Sequence, residues 1–126
     1  MVEFAIVTGL IFIPVVFGII EFGRAVFAKS MVTAAAREGV RYAIVRGDAY
    51  ATLMGGSIAD STSVANYVKA RTPLTGIIVR PTWRHGGDLG DTVTVRVTFT
   101  HRPIVKVPGL LTTKTLSSSS SQLVVF

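Results

Sequence analysis

The stretch Val2-Glu3-Phe4-Ala5-Ile6-Val7-Thr8-Gly9-Leu10-Ile11-Phe12-Ile13-Pro14-Val15-Val16-Phe17-Gly18-Ile19-Ile20-Glu21 decides how the 126-residue chain is organised. Residues 4–20 carry no charge. As a helix rising about 1.5 Å per residue they form a rod of roughly 26 Å, close to the hydrocarbon thickness of a bilayer. A carboxylate bounds the rod at each end, Glu3 and Glu21. A water-soluble domain of this size has no use for such a segment. The rod is expected to sit first in a membrane and later against copies of itself.

Helical periodicity continues beyond the rod. Val26, Phe27, Met31, Ala34, Ala35, Glu38 and Tyr42 recur at helical spacing. Ala34-Ala35-Ala36 favours helix, and its small side chains allow another element to approach closely. Glu38 lies three residues before Arg41, the spacing of an exposed helical ion pair. Gly47, with Arg46 just inside it, is a stop signal. The chain therefore divides into an N-terminal helix over 1–47, on the order of 65 Å long, and a head over 48–126. Pro14 removes an amide proton and crowds the preceding turn. With Gly9 and Gly18 nearby, a kink or local unwinding is expected between Leu10 and Gly18. In a bilayer the freed carbonyl needs a protein partner.

In the head, Asp48 to Ala59 reads as a loop centred on Gly55-Gly56-Ser57. A short helix over 60–71 follows, capped by Asp60 or Ser61, buried through Val64, Tyr67 and Val68, and ended by Thr72-Pro73. Three strands come next, 75–84, 91–101 and 114–126. Pro81 and Trp83 suit the first to an edge. The second alternates cleanly, with Val93, Val95, Val97 and Phe99 on one side and Thr92, Thr94, Arg96, Thr98 and Thr100 on the other. His85 to Gly90 is a turn and Pro103 to Leu111 a loop. Ser117 to Ser121 reads as strand because Leu123-Val124-Val125-Phe126 follows. Small inward serines would let the sheet sit close to a helix. The fold class is α+β, with the amphipathic half of the long helix laid across a small antiparallel meander and one extra short helix.

Charge is unevenly spread. The chain holds 13 basic and 7 acidic residues, net +6. Residues 1–23 hold Glu3 and Glu21 and no base, so the remainder is strongly basic. Nucleic acid, anionic lipid and acidic polysaccharide are the partners such a balance attracts, but the bases are scattered singly, as on a solubilising surface. Arg80, Arg84 and Arg96 with Trp83 are the candidate basic aromatic surface for nucleic acid. The absence of cysteine removes disulfides, thiolate metal sites and thiol catalysis.

No catalytic, metal or cofactor signature is present: there is no phosphate-cradling glycine loop, nucleophile elbow or metalloprotease motif. His85 and His101 flank one strand, about 30 Å apart by rise alone, too far for a shared site. Asp88 and Asp91 read as turn residues rather than calcium ligands. Asn66 lacks a Ser or Thr two places on, so it is not an N-glycosylation acceptor. Arg46-Gly47-Asp48 matches a tripeptide read by integrins, but three residues recur by chance and Gly47 already serves as a terminator.

Three pieces of sequence together resemble the TadE-like pilins of tight-adherence pili, within the wider type IV pilin group. They are Val2-Glu3-Phe4-Ala5, then Gly18-Ile19-Ile20-Glu21-Phe22-Gly23-Arg24, then Ala35-Ala36-Arg37-Glu38-Gly39-Val40-Arg41-Tyr42-Ala43. Val93-Thr94-Val95, the Pro108-Gly109-Leu110-Leu111 loop and Leu116-Ser117-Ser118-Ser119 are similar to the middle strand, following loop and small-residue last strand of that family. The resemblance implies a prepilin made in the inner membrane, a basic leader removed by a prepilin peptidase, and extrusion by an ATP-driven assembly machine into a cell-surface filament. Glu3 lies nearer the start than the fifth mature position usual there. The residues assigned to assembly are Glu3, Phe4, Pro14, Gly18, Glu21 and Arg24; those assigned to helix packing are Ala34, Ala35, Glu38, Arg41 and Tyr42. Glu3 reads either as a headgroup-level residue or, as the resemblance favours, as partner to an N-terminal amine, its own or a neighbour's. Glu21 and Arg24, three apart, read either as a membrane-edge marker or as an inter-subunit ion pair. The expected function is a structural subunit polymerising through residues 1–47. A minor or initiating pseudopilin and a single-span ligand-binding protein are the alternatives.

Overall fold

A computed structural model describes residues 1–85, 90–104 and 112–124. Its elements are α1 (Val2–Val45), α2 (Asp48–Met54), α3 (Ser61–Arg71), β1 (Ile78–Trp83), β2 (Thr92–His101) and β3 (Lys114–Leu123). The chain is α+β, a long N-terminal helix on an open three-stranded antiparallel sheet with short helices beside it.

Helix α1 runs without interruption for 44 residues, Pro14 included. Of the kink or local unwinding expected between Leu10 and Gly18, the unwinding is absent. A proline forfeits one rung of the hydrogen-bond ladder, and the rungs on either side carry the helix through. The helix stops two residues short of Gly47. Gly47 instead precedes α2, which occupies part of the segment expected to be a loop. Gly55 ends α2 in the left-handed conformation, φ 64°, donating its amide to the Ala51 carbonyl. The excursion is tied at its base, where the Ala59 amide donates to the Arg46 carbonyl at 2.8 Å. Helix α3 starts as expected, with the Asp60 side chain accepting from the Ser61 amide at 2.7 Å.

The sheet order is β1-β2-β3, both pairs antiparallel, so β1 with Pro81 is an edge as its composition requires. It begins at Ile78, three residues later than expected, because Gly76 at φ 81° turns the chain just before it. Val93, Val95 and Val97 of β2 are fully buried against α1, α3 and one another. Opposite Val95 and Val97 in the register stand Ser120 and Ser118. These small inward-facing side chains let α1 lie over β3. The β3 strand ends at Leu123, and residues 125–126, like the loop around Pro108 and the turn at Asp88, lie outside the described residues.

The helix face that meets the sheet is Val32, Ala35, Ala36, Gly39, Val40 and Ala43. Ala34 is exposed and Ala36 buried, so the expected packing pair Ala34 and Ala35 is corrected to Ala35 and Ala36. One residue turns a helix by about 100°, enough to move Ala34 off the interface. Gly39 is the point of closest approach: a β-carbon there would lie 2.8 Å from Val68 Cγ2 and 3.0 Å from Val95 Cγ1. Three elements therefore meet where this glycine has no side chain.

Candidate functional site

The part of α1 before the head is bare. Phe4 is 79% exposed, Leu10 74% and Ile13 55%. An apolar surface of this extent on a folded protein marks a membrane or protein contact, and α1 is long and apolar enough to cross a membrane. Phe4, Pro14 and Gly18 all lie on this stem, and a β-carbon at Gly18 would meet nothing within 4 Å. Among the described residues Glu3, near its tip, makes no ion pair.

Where the stem enters the head, Glu21 is buried. Its carboxylate gathers four contacts. His101 Nε2–H donates to Oε1 at 2.8 Å. The Ile104 amide donates to Oε2 at 3.3 Å. Arg24 Nη1 reaches both oxygens, at 3.3 and 3.1 Å. Glu21 and Arg24 thus form an ion pair within one chain, part of a clamp at the junction of stem and head. His101 and Ile104 come from the end of β2 and the residues after it, about 80 positions along the chain. Ile20, Gly23 and Phe27 of α1 line an open cleft beside the clamp with Leu74 and Phe99 of the head.

Burial pushes the Glu21 carboxyl up, but the hydrogen bonds from His101 and Ile104 and the charges of Arg24 and His101 outweigh it. The group titrates below its ordinary value of 4.5. A carboxyl depressed by folding adds stability above its ordinary range, and that stability is lost as pH falls through the depressed value. Thermal unfolding of the detergent-solubilised chain should therefore show the wild type losing stability on acidification below 4.5. Glu21→Gln should be less stable at neutral pH and flatter through that window. Parallel pH profiles for the two would contradict the clamp.

Glu38 and Tyr42 lie further along, near the end of α1. The Glu38 pair expected with Arg41 is replaced by contacts to α3. Tyr67 O–H donates to Glu38 at 2.9 Å, and Arg71 lies 3.5 Å from the same oxygen. The Tyr67 hydroxyl is held above its ordinary value, first by that hydrogen bond to a carboxylate and then by burial. Tyr42 stacks on Tyr67 with ring centroids 4.0 Å apart. Arg46 lies over the Tyr42 ring and Arg71 over the Tyr67 ring. The stack fastens α1 to α3. It also occupies Arg46, whose Nη1 donates to the Tyr42 hydroxyl at 2.7 Å, so this arginine of the Arg46-Gly47-Asp48 tripeptide is engaged within the fold. Arg41 is exposed.

The two histidines serve different places. The His85 amide donates to Asp91 Oδ2 at 2.9 Å, and the buried Asp91 side chain also accepts from the Thr92 amide. Asp91 is thus the turn residue its sequence suggested. Among the described residues no group of three His, Cys, Asp or Glu is placed to hold a metal ion. The candidate nucleic-acid surface does not assemble as expected. Trp83 packs against the core, whereas Arg80 and Arg96 face each other across the exposed side of the sheet. Strand alternation puts residues 80 and 83 on opposite faces.

Sequence reasoning missed His101 and the Ile104 amide. A histidine closing a strand and an isolated carboxylate at the end of an apolar run were the available signals, but nothing local connects them.

Residues 1–41, the N-terminal third of the chain, match the family model of the TadE-like protein. That is the family which the N-terminal pieces resemble, and the match is consistent with a TadE-like protein of the pilin group. No curated protein and no solved structure matches the chain.

Proposed function

We propose that this chain is a structural pilin subunit, held in the inner membrane by its stem and then polymerised through residues 1–47 into a cell-surface filament. The observation that carries the reading is the bare stem on a head that needs none of it. The buried core runs from Val32 to Val124 and includes no residue of the uncharged run. The TadE-like match over residues 1–41 adds a pilus-associated role and membrane anchoring by an apolar helix. A prepilin peptidase and an assembly machine are the partners this role requires.

Its mechanism is exchange of surroundings. In lipid the stem gains little from meeting another apolar helix, so close packing, polar pairing and the machine must drive association. Outside lipid the same surface holds a bundle together, at roughly 25 cal/mol for each Å² taken from water. Glu3 then lies among apolar stems and requires a partner such as a neighbour's amine.

Electron microscopy of sheared surface material is the test. Fibres labelled along their length by antibody to this chain support the reading. Label confined to tips indicates a minor or initiating subunit, and label absent from fibres leaves a single-span ligand-binding protein. Glu3→Gln should lower fibre yield about tenfold or more while the protein still reaches the membrane. Unchanged yield would remove Glu3 from assembly.

A further inference from the structure

The sheet has an outward face that polymerisation through the stem does not use. On it the register sets Arg80 directly opposite Arg96, and both side chains are exposed. Like charges directly opposite in an antiparallel pair repel and destabilise the sheet. Among the described residues no acidic side chain stands on this face: the outward positions of the three strands otherwise hold serine and threonine, with Ile78 and Leu123 at the margins. Among the described residues neither arginine makes an ion pair. The hydroxyls recur in rows. On β3 they stand at Ser117, Ser119 and Ser121, spaced roughly 7 Å by strand rise. Ser121 Oγ is within 2.7 Å of Thr94 Oγ1 on β2, so the rows join across strands.

We propose that this face binds an acidic polysaccharide. The guanidinium groups of Arg80 and Arg96 match planar or tetrahedral oxyanions with paired N–H donors. A bridging anion converts their mutual repulsion into attraction. The serine and threonine rows supply donors and acceptors for sugar hydroxyls. A single-stranded nucleic acid would need aromatic platforms for its bases. The strand tryptophan, Trp83, lies on the other face, against the core. The inference goes beyond assembly and holds for a lone subunit as for a fibre, provided the face stays open.

The test uses the full chain in non-ionic detergent, with surfaces of immobilised polygalacturonate, neutral dextran and single-stranded DNA. Binding to polygalacturonate should exceed binding to dextran and DNA. Arg80→Gln with Arg96→Gln should weaken it about tenfold, the loss expected for charge-assisted hydrogen bonds. Arg37→Gln with Arg41→Gln removes the same charge from exposed positions of α1 and should change it less than about twofold. Circular dichroism should be the same for all three proteins, since every substituted side chain is exposed. Equal loss in both double variants would overturn the proposal in favour of diffuse positive charge. Tighter binding to DNA, or no preference over dextran, would overturn it as well.

Discussion

Ile13→Lys should leave the protein outside the membrane and abolish the proposed fibres. A lysine at the centre of a spanning helix is disfavoured by about 2.5–3.5 kcal/mol on insertion scales, where isoleucine is slightly favoured. The substitution therefore shifts the partition by roughly 3–4 kcal/mol, a few hundredfold. The head should remain folded, because Ile13 is 55% exposed and belongs to no part of the core. Carbonate extraction of membranes reads the partition, and circular dichroism of the released protein reads the fold. Ile13→Leu is the control and should behave as wild type. Carbonate-resistant retention of Ile13→Lys, with normal fibres, would show that the stem is neither the anchor nor the polymer core.

The second large effect is on the head. Gly39→Val should destabilise it by about 2–3 kcal/mol. Replacing glycine in a helix ordinarily helps, by about 0.8–1 kcal/mol for alanine. Here a β-carbon would already stand 2.8 Å from Val68 Cγ2 and 3.0 Å from Val95 Cγ1. Both neighbours are branched at Cβ and stiff at χ1. Overpacking of this kind costs typically 1–3 kcal/mol for the first carbons, and two further methyls add to it. A marginally stable domain gives up a large part of its margin. Urea midpoints of the detergent-solubilised chain measure the change. Gly23→Ala lies on the same helix in open space and should be neutral or slightly stabilising. A Gly39→Val midpoint at or above wild type would mean that α1, α3 and β2 do not meet as closely as described.

The uncharged run and the valine alternation of β2 are strong periodic signals, and both were legible in place and type. The stop near Gly47 was legible to within two residues. Helix α2 was not, because Gly47 and Gly55-Gly56 read as loop from either side, while the residues between them made only two turns. Ala34 against Ala36 is a question of phase around a helix, and the run Ala34-Ala35-Ala36 contains no charged residue to set that phase. The junction was half legible. Glu21 was marked by its position, but its main partner is on a strand end 80 residues later, and only the closed fold brings them together. The same holds for Arg80 and Arg96, whose opposition is a property of register rather than of either strand.

One uninterrupted helix serves as both the bare stem and the central member of the head's core, and Glu21 locks the two at their boundary. There is consequently no swivel between them. A load applied to the head meets helix on both sides of Glu21 and the contacts of Glu21 itself, with no loop between stem and head to absorb it. A pull on the head is therefore passed to the stem through helix, not through a flexible connection.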